Sequence, residues 1–277
     1  MFKKYWKFFV IFWSVVLVGI IGVFVFFWLI SAGKLGFMPT FEELENPNNR
    51  FASEVYFADG PIMNRYFEKE NRKYIEYREI PQSVIDALIA TEDVRFYDHS
   101  GVDVRGLFRV AKGLLTANTS AGGGSTISQQ LAKMLFPRES DLNVFELAIR
   151  KFREWVIAVR LEKSYTKEEI LTMYLNKYDF LNLAVGISSA ADIYFQVPLD
   201  SLKVEQAAML IGMAKNSSYY NPVRRPELTL NRRNVVLSHM YKYDKITREE
   251  CDSLKKLPLG LNFKRVDHKE GNIFVCL

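Results

Sequence analysis

The chain has 277 residues, enough for a sizeable core in one large domain or two, and it contains no internal repeat or low-complexity tract. Its formal charge of +5 points to an anionic partner: nucleic acid, anionic lipid or a phosphate-bearing substrate. The two cysteines, Cys251 and Cys276, match no metal spacing and cannot make a disulfide framework, which excludes metal-finger and disulfide-scaffold classes.

Residues 8–30 form an uncharged apolar run of 23 residues. At about 1.5 Å per residue it spans a bilayer core of roughly 30 Å with some tilt to spare. Lys3, Lys4 and Lys7 precede it, which puts residues 1–7 on the cytoplasmic side, and Trp6 and Trp28 suit the two interfaces. The rival is a cleaved signal peptide ending at Ser31-Ala32-Gly33, but the run is long and aromatic for that role. Residues 31–52, with Pro39, Pro47 and an Asn-rich cluster, read as a linker. Ser53 to Phe67 alternates in polarity around Asp59-Gly60, the signature of a two-stranded hairpin. Glu68 to Glu79 is dense in charge and reads as solvated surface, and from Pro81 the pattern is helical almost to the end.

Pro81 is placed to open a helix with Val84, Ile85, Leu88 and Ile89 on one face. That helix runs into Glu92 and Asp93, followed by Phe96, His99 and Gly101. An acid at a helix end among aromatic groups is a candidate for acid–base work, although an isolated Glu-Asp pair reads more simply as a solvated terminus. Val104 to Ala117 is short, basic and amphipathic, equally a headgroup-touching segment or a core-facing helix by pattern. Asn118 to Gly124 is a glycine-rich loop suited to moving when substrate binds. Gly123 to Met134, G-G-S-T-I-S-Q-Q-L-A-K-M, is either an anion-binding helix start or a plain Gly/Ser cap, and it lacks the order of a Walker loop. Arg150, Lys151 and Glu154 share one helix face, an arrangement that an ordinary ion pair also produces.

Ser164 to Lys167 fits S-x-x-K, the nucleophile pattern of transpeptidases, as do Ser31 to Lys34 and Ser253 to Lys256. None is followed by S-x-N or K-T-G, so the nucleophile reading is rejected. Ser164 or Thr166 instead caps the next helix, which has Glu168 and Glu169 in its first turn. Met209, Leu210 and Met213 read as core, and His239 and His268 as structural or exposed.

In chain order these segments resemble the motifs of the peptidoglycan glycosyltransferases of family 51, the transglycosylase domain of class A penicillin-binding proteins and the monofunctional transglycosylases. Glu92, Asp93, Phe96, His99 and Gly101 carry the first motif, and Ser125, Thr126, Gln129, Gln130 and Lys133 the second, with Met134 in place of the usual Asn. Arg150, Lys151 and Glu154 carry the third. Ile170 to Phe180 resembles the fourth, with Leu181 where the family has glycine. Gly186 to Phe195 resembles a further family segment, Val204 to Pro222 resembles the fifth motif and Arg232 to Met240 closes the domain in the family manner; these later stretches are mostly helix packing, and the likeness covers about Ser53 to Met240.

The resemblance implies a mainly α, lysozyme-like glycosyltransferase domain over residues 53–245, with a small β-hairpin, behind one N-terminal transmembrane helix. Residues 246–277 are expected to be a tail or the start of a linker to an absent domain, and no transpeptidase activity is expected of this chain. By likeness the activity is polymerisation of lipid II into β-1,4 glycan strands, with the growing lipid-linked strand as donor. Glu92 would be the general base, and Glu154 would assist the leaving group directly or through a divalent cation. Ser125, Thr126, Gln129, Gln130, Lys133, Arg150 and Lys151 would bind substrate and pyrophosphate. The family usually works with Mg²⁺ or Mn²⁺ near the first-motif acid, here Glu92. The implied partners are lipid II, membrane lipids, which Val104 to Ala117 would touch, and the cell-wall synthesis machinery, with no nucleic acid. The implied location is the bacterial cytoplasmic membrane, single-pass, with the catalytic domain outside. The alternatives are a glycan-cleaving enzyme on a related fold, which has no need of a pyrophosphate cradle, and an inactive membrane scaffold.

Overall fold

A computed structural model describes residues 2–36, 38–39, 53–56, 62–66, 73–116, 123–135 and 143–264. Most of the expected linker, the glycine-rich loop before Gly123, the hairpin turn with Asp59-Gly60 and the last 13 residues with Cys276 lie outside them.

Helix α1, Phe2–Ser31, overruns the apolar stretch at its N-terminus because nothing between Phe2 and Lys7 breaks a helix. Its segment Trp6–Ser31 is long and apolar enough to cross a membrane, and most of its large side chains face away from the rest of the protein. Only the C-terminal end docks. Ile30 is buried, and Phe26 and Phe27 meet Phe152 edge-on at 5.4 and 5.7 Å. Arg160 donates to the Ser31 carbonyl and hydroxyl, both at 2.8 Å, and to the Pro39 carbonyl at 3.0 Å. A cation on the orphan carbonyls of a helix end is the favourable sign for the helix dipole. Strands β1, Ser53–Tyr56, and β2, Ile62–Tyr66, pair antiparallel as the alternation predicts, with an irregularity between Val55 and Tyr56.

The remaining elements build a helical domain in two halves. In the first, α2, Gln82–Glu92, packs against two later helices, α8 (Val204–Met213) and α9 (Pro226–Lys242). Residues 207–213, A-A-M-L-I-G-M, are all buried; the small side chains let neighbours approach closely, and a Cβ on Gly212 would meet Arg232 at 3.2 Å. In the second half, α4 (Ile127–Leu135) lies between α5 (Val144–Ser164) and α6 (Lys167–Lys177). Helix α3, Val104–Leu115, follows the first-motif loop and leaves Val104 and Phe108 exposed. Helix α7, Ile187–Phe195, and α10, Arg248–Lys256, complete the order.

Local rules set most helix ends. Pro81 is the residue before α2 and not its first turn, with φ of −58°. Thr166, and not Ser164, caps α6: its hydroxyl accepts from the Glu169 N–H at 3.2 Å while Glu169 accepts the Thr166 N–H at 2.7 Å. Ser164 ends α5 with its hydroxyl on the Arg160 carbonyl. Beyond α9 the chain stays on the domain. Cys251 of α10 is buried, and the N–H groups of Asn262 and Lys264 donate to the carbonyls of Tyr194 and Ile193 at 3.0 Å. Arg233, wholly buried, ties this segment down by donating to the carbonyls of Leu257 and Pro258 at 2.8 Å and Lys255 at 3.2 Å. Arg233→Met leaves those carbonyls without a donor, and we expect a loss of about 2–4 kcal/mol, read from the denaturant midpoint.

The turn after α6 is strained. Leu181, Asn182 and Leu183 are consecutive left-handed residues with φ of 65°, 53° and 69°. They are held by the Leu181 N–H on the Asp179 carboxylate at 2.7 Å and by Asn182 on the Tyr194 hydroxyl at 2.9 Å. The residue where the family has glycine is thus a leucine in a glycine conformation. Leu181→Gly is expected to raise the unfolding free energy by roughly 0.5–1 kcal/mol, the strain relieved exceeding the added freedom of the unfolded chain. A lower melting temperature in that variant would contradict it.

Candidate active site

Glu92 is the last residue of α2, at the seam between the two helical halves, and its side chain is 14 % exposed. One oxygen, Oε2, accepts from the Gln130 amide of α4 at 3.0 Å, and the other, Oε1, pairs with Arg232 of α9 at 3.4 Å. Gln130 in turn accepts from the Tyr174 hydroxyl of α6 at 3.0 Å. Burial pushes the Tyr174 phenol well above its ordinary value, so it stays a proton donor.

Glu92 opens onto a cavity of about 500 Å³ whose wall includes Ser125, Gln130, Lys133, Lys151, Glu154 and Lys215. Lys151 bridges across α5 and the start of α4: its Nζ lies 2.8 Å from Glu154 and 2.9 Å from the Ser125 hydroxyl. A second space of about 210 Å³ lies on the other side of Glu92 and Ser125, lined also by Arg109, His239 and Lys242. Two spaces meeting at one carboxylate provide room for two substrate moieties with the acid between them.

The first- and second-motif residues other than Glu92 divide between wall and frame. Asp93 is buried; its carboxylate accepts from the Ile127 N–H of α4 at 3.1 Å and meets His99 Nε2 at 3.0 Å. The Gly101 N–H donates to His99 Nδ1 at 3.2 Å, so the proton of this imidazole sits on Nε2, facing Asp93. Gly101, at φ of 95°, presses on α5 so closely that a Cβ would meet the Ala158 carbonyl carbon at 2.7 Å. Its carbonyl accepts the Thr126 hydroxyl at 2.6 Å and, at 3.4 Å, the Gln129 amide. Phe96 is buried under Lys167, which sits 4.3 Å over its ring and also holds Glu162 and the His99 carbonyl. Of the sequence candidates, Glu92, Ser125, Gln129, Gln130, Lys133, Lys151 and Glu154 line the larger cavity, with Met134 beside them. Asp93 and Thr126 line the smaller space, though Thr126 spends its hydroxyl on the frame, and Arg150, half-buried on α5, is outside the lining of both spaces.

Sequence reading missed Tyr174, Tyr178, Lys215 and Arg232 as site residues: the two tyrosines fall in the stretch read as the fourth motif, and Lys215 and Arg232 in later stretches read mostly as helix packing. Nothing local marks them; only the fold brings α6, α8 and α9 to the end of α2. The residues beside Glu92 do not suit a divalent cation, since both its oxygens face nitrogen donors and Asp93 is turned into the frame. Among the described residues no group of three or more His, Cys, Asp or Glu would hold a metal.

Asp103 closes the first-motif loop, accepting from the guanidinium of Arg95 and from the Gly106 N–H at 2.9 Å. Burial pushes its carboxyl up, but those two donors and the charge of Arg95 outweigh it and hold the group below its ordinary value of 3.8. A lowered folded-state value adds stability that is fully present above 3.8 and is lost as pH falls below it. The melting temperature of the wild type is therefore expected to exceed that of Asp103→Asn near neutral pH, and the gap to shrink below pH 3.8. A gap that does not change with pH would contradict this.

The family model described as Transglycosylase matches residues 59–241. Penicillin-binding protein 1A of Escherichia coli is 36% identical over 226 residues, 82% of this chain and 26% of that protein. Penicillin-binding protein 1A of Pseudomonas aeruginosa is 35% identical over 82% of this chain and 27% of its own length. The chain thus spans about a quarter of the length of these relatives. A crystal structure of penicillin-binding protein 1A from Haemophilus influenzae aligns with a TM-score of 0.44 at 22% identity, over 78% of this chain and 22% of that one. The chain belongs to the transglycosylase family.

Proposed function

We propose that this chain is a membrane-held peptidoglycan glycosyltransferase that polymerises lipid II by an inverting displacement. The observation that carries the reading is one cavity in which Glu92 and Glu154 stand with Lys133 and Lys151. Two carboxylates alone would serve a glycan-cleaving enzyme equally well; lysines beside them fit a diphosphate leaving group.

In this reading the donor is the growing glycan strand on a polyprenyl diphosphate, in the larger cavity, and the acceptor is the next lipid II, in the smaller one. Glu92 removes the proton of the acceptor 4-hydroxyl as the oxygen attacks the anomeric carbon. The bond to the diphosphate breaks on the opposite face, which gives a β-1,4 linkage and releases polyprenyl diphosphate. Lys151, fixed between Ser125 and Glu154, and Lys133 meet the negative charge that develops on the leaving oxygen. Arg150 adds to the field from the same helix. No step is assigned to a metal, since the donors around Glu92 disfavour one there.

Both substrates carry polyprenyl tails, and the protein offers a membrane-compatible surface: α1, with the exposed Phe108 of α3 and Val144 and Phe145 at the start of α5. The anchor would sit in the cytoplasmic membrane with its lysines inside and the domain outside. Cell-wall synthesis proteins are proposed as its companions there.

The test is polymerisation of labelled lipid II by the full chain in detergent. Wild type is expected to give glycan chains and Glu92→Gln to lose on the order of 10²–10⁴-fold in rate, the usual weight of a positioned base. Shortening of preformed glycan by the wild type, with no chain growth, would replace the reading with a cleaving enzyme.

A further inference from the structure

Arg232 and Arg233 are neighbours in one R-R-N sequence, yet they do different things. Arg233 turns away from the site to hold the segment after α10. Arg232 turns toward Glu92, with a side chain only 10 % exposed. Resting on the reading of Glu92 as the proton-accepting group, we propose that Arg232 is a positioning residue for that carboxylate: it holds Oε1 while Gln130, oriented by Tyr174, holds Oε2.

Three observations carry this. First, the guanidinium is itself braced. Its Nε donates to the Gly212 carbonyl of α8 at 3.2 Å, a separate N–H reaches Glu92 at 3.4 Å, and the group lies 5.8 Å from the centre of the Tyr220 ring. Second, the stem packs tightly along Gly212, where a Cβ would stand 3.2 Å from Arg232 Cγ. Third, the opposite oxygen is held by an amide of fixed direction. The buried Tyr174 hydroxyl donates, so the Gln130 carbonyl faces it and the Gln130 NH₂ faces Glu92; the reversed amide would set two acceptors against each other. Elements from both halves of the domain, α9 on one side and α4 with α6 on the other, thus fix both oxygens of one carboxylate. A carboxylate held at both ends keeps its position through the reaction, and loss of such positioning costs rate more than affinity.

Lysine keeps the charge of Arg232 but has a single nitrogen, which cannot span the Gly212 carbonyl and Glu92 as the guanidinium does, so it replaces only part of the role. The experiment uses the full chain in detergent and compares wild type, Arg232→Met and Arg232→Lys in lipid II polymerisation. Alongside runs a thermal-unfolding cycle of Arg232→Met, Glu92→Gln and the double variant. Turnover of Arg232→Met is expected to fall about 10²-fold with KM little changed, Arg232→Lys to recover part of it, and the unfolding cycle to be non-additive. Turnover of Arg232→Met within about twofold of wild type overturns the inference and leaves the proposed function standing. Equal losses in the Met and Lys variants with an additive cycle also overturn it, because that is the behaviour of an arginine with only a structural role. A folded wild type that makes no glycan overturns the proposed function instead; the unfolding cycle then still decides whether Arg232 holds Glu92.

Discussion

The arrangement depends on a buried carboxylate that stands next to Glu92 in the chain. Asp93 sits between the end of α2 and the start of α4, accepting an N–H from Ile127 and facing the Nε2 proton of His99. An acid at a helix N-terminus satisfies an orphan donor and has the favourable sign for the dipole. A buried charge without such partners would cost several kcal/mol, so the pairing strongly favours one relative placement of the two helices. Glu92 precedes Asp93 directly, and Ser125 and Gln130 flank Ile127. Locking Asp93 therefore sets Glu92 against the wall of its cavity.

Gly101 extends this frame to α5. Its backbone approaches Ala158 more closely than any side chain allows, and its carbonyl receives the Thr126 hydroxyl. Ala158 lies one turn beyond Glu154 on the same helix, so the contact that seats the first-motif loop also sets where Lys151 and Glu154 face. The three polar segments are coupled by packing and by hydrogen bonds that never touch a ligand. This explains why so many of their residues, among them Asp93, Phe96, Gly101 and Thr126, are buried while only part of each segment lines the cavity.

The apolar helix α1 joins the frame at the same helix, α5. Arg160, lower on α5, closes the C-terminus of α1, and Phe152, between Lys151 and Arg153, receives Phe26 and Phe27. Gly36 lies against Arg153, leaving no room for a side chain. Helix α5 thus presents charge to the cavity on one face and aromatic surface to α1 on another. A helix can do this because residues three and four apart share a face while their neighbours point elsewhere.

The sequence by itself determined the features that depend on local order. The length and polarity of residues 8–30 specify a helix long and apolar enough to cross a membrane, Ser164 and Thr166 mark where α6 begins, and the spacing of Arg150, Lys151 and Glu154 puts them on one helix face. The motif residues were legible as well, as types in a characteristic order. Tertiary structure alone decided which of them frame the site and which face the cavity, because burial is a property of neighbours distant in sequence. It turned Thr126 and His99 into struts, set Arg150 aside from the lining, and carried Arg232 across 140 positions of chain to Glu92. In the sequence Arg232 and Arg233 are the same residue type side by side. One step along a helix rotates a side chain by about 100°, and that rotation sends one guanidinium to the acid and the other to the carbonyls that end the domain.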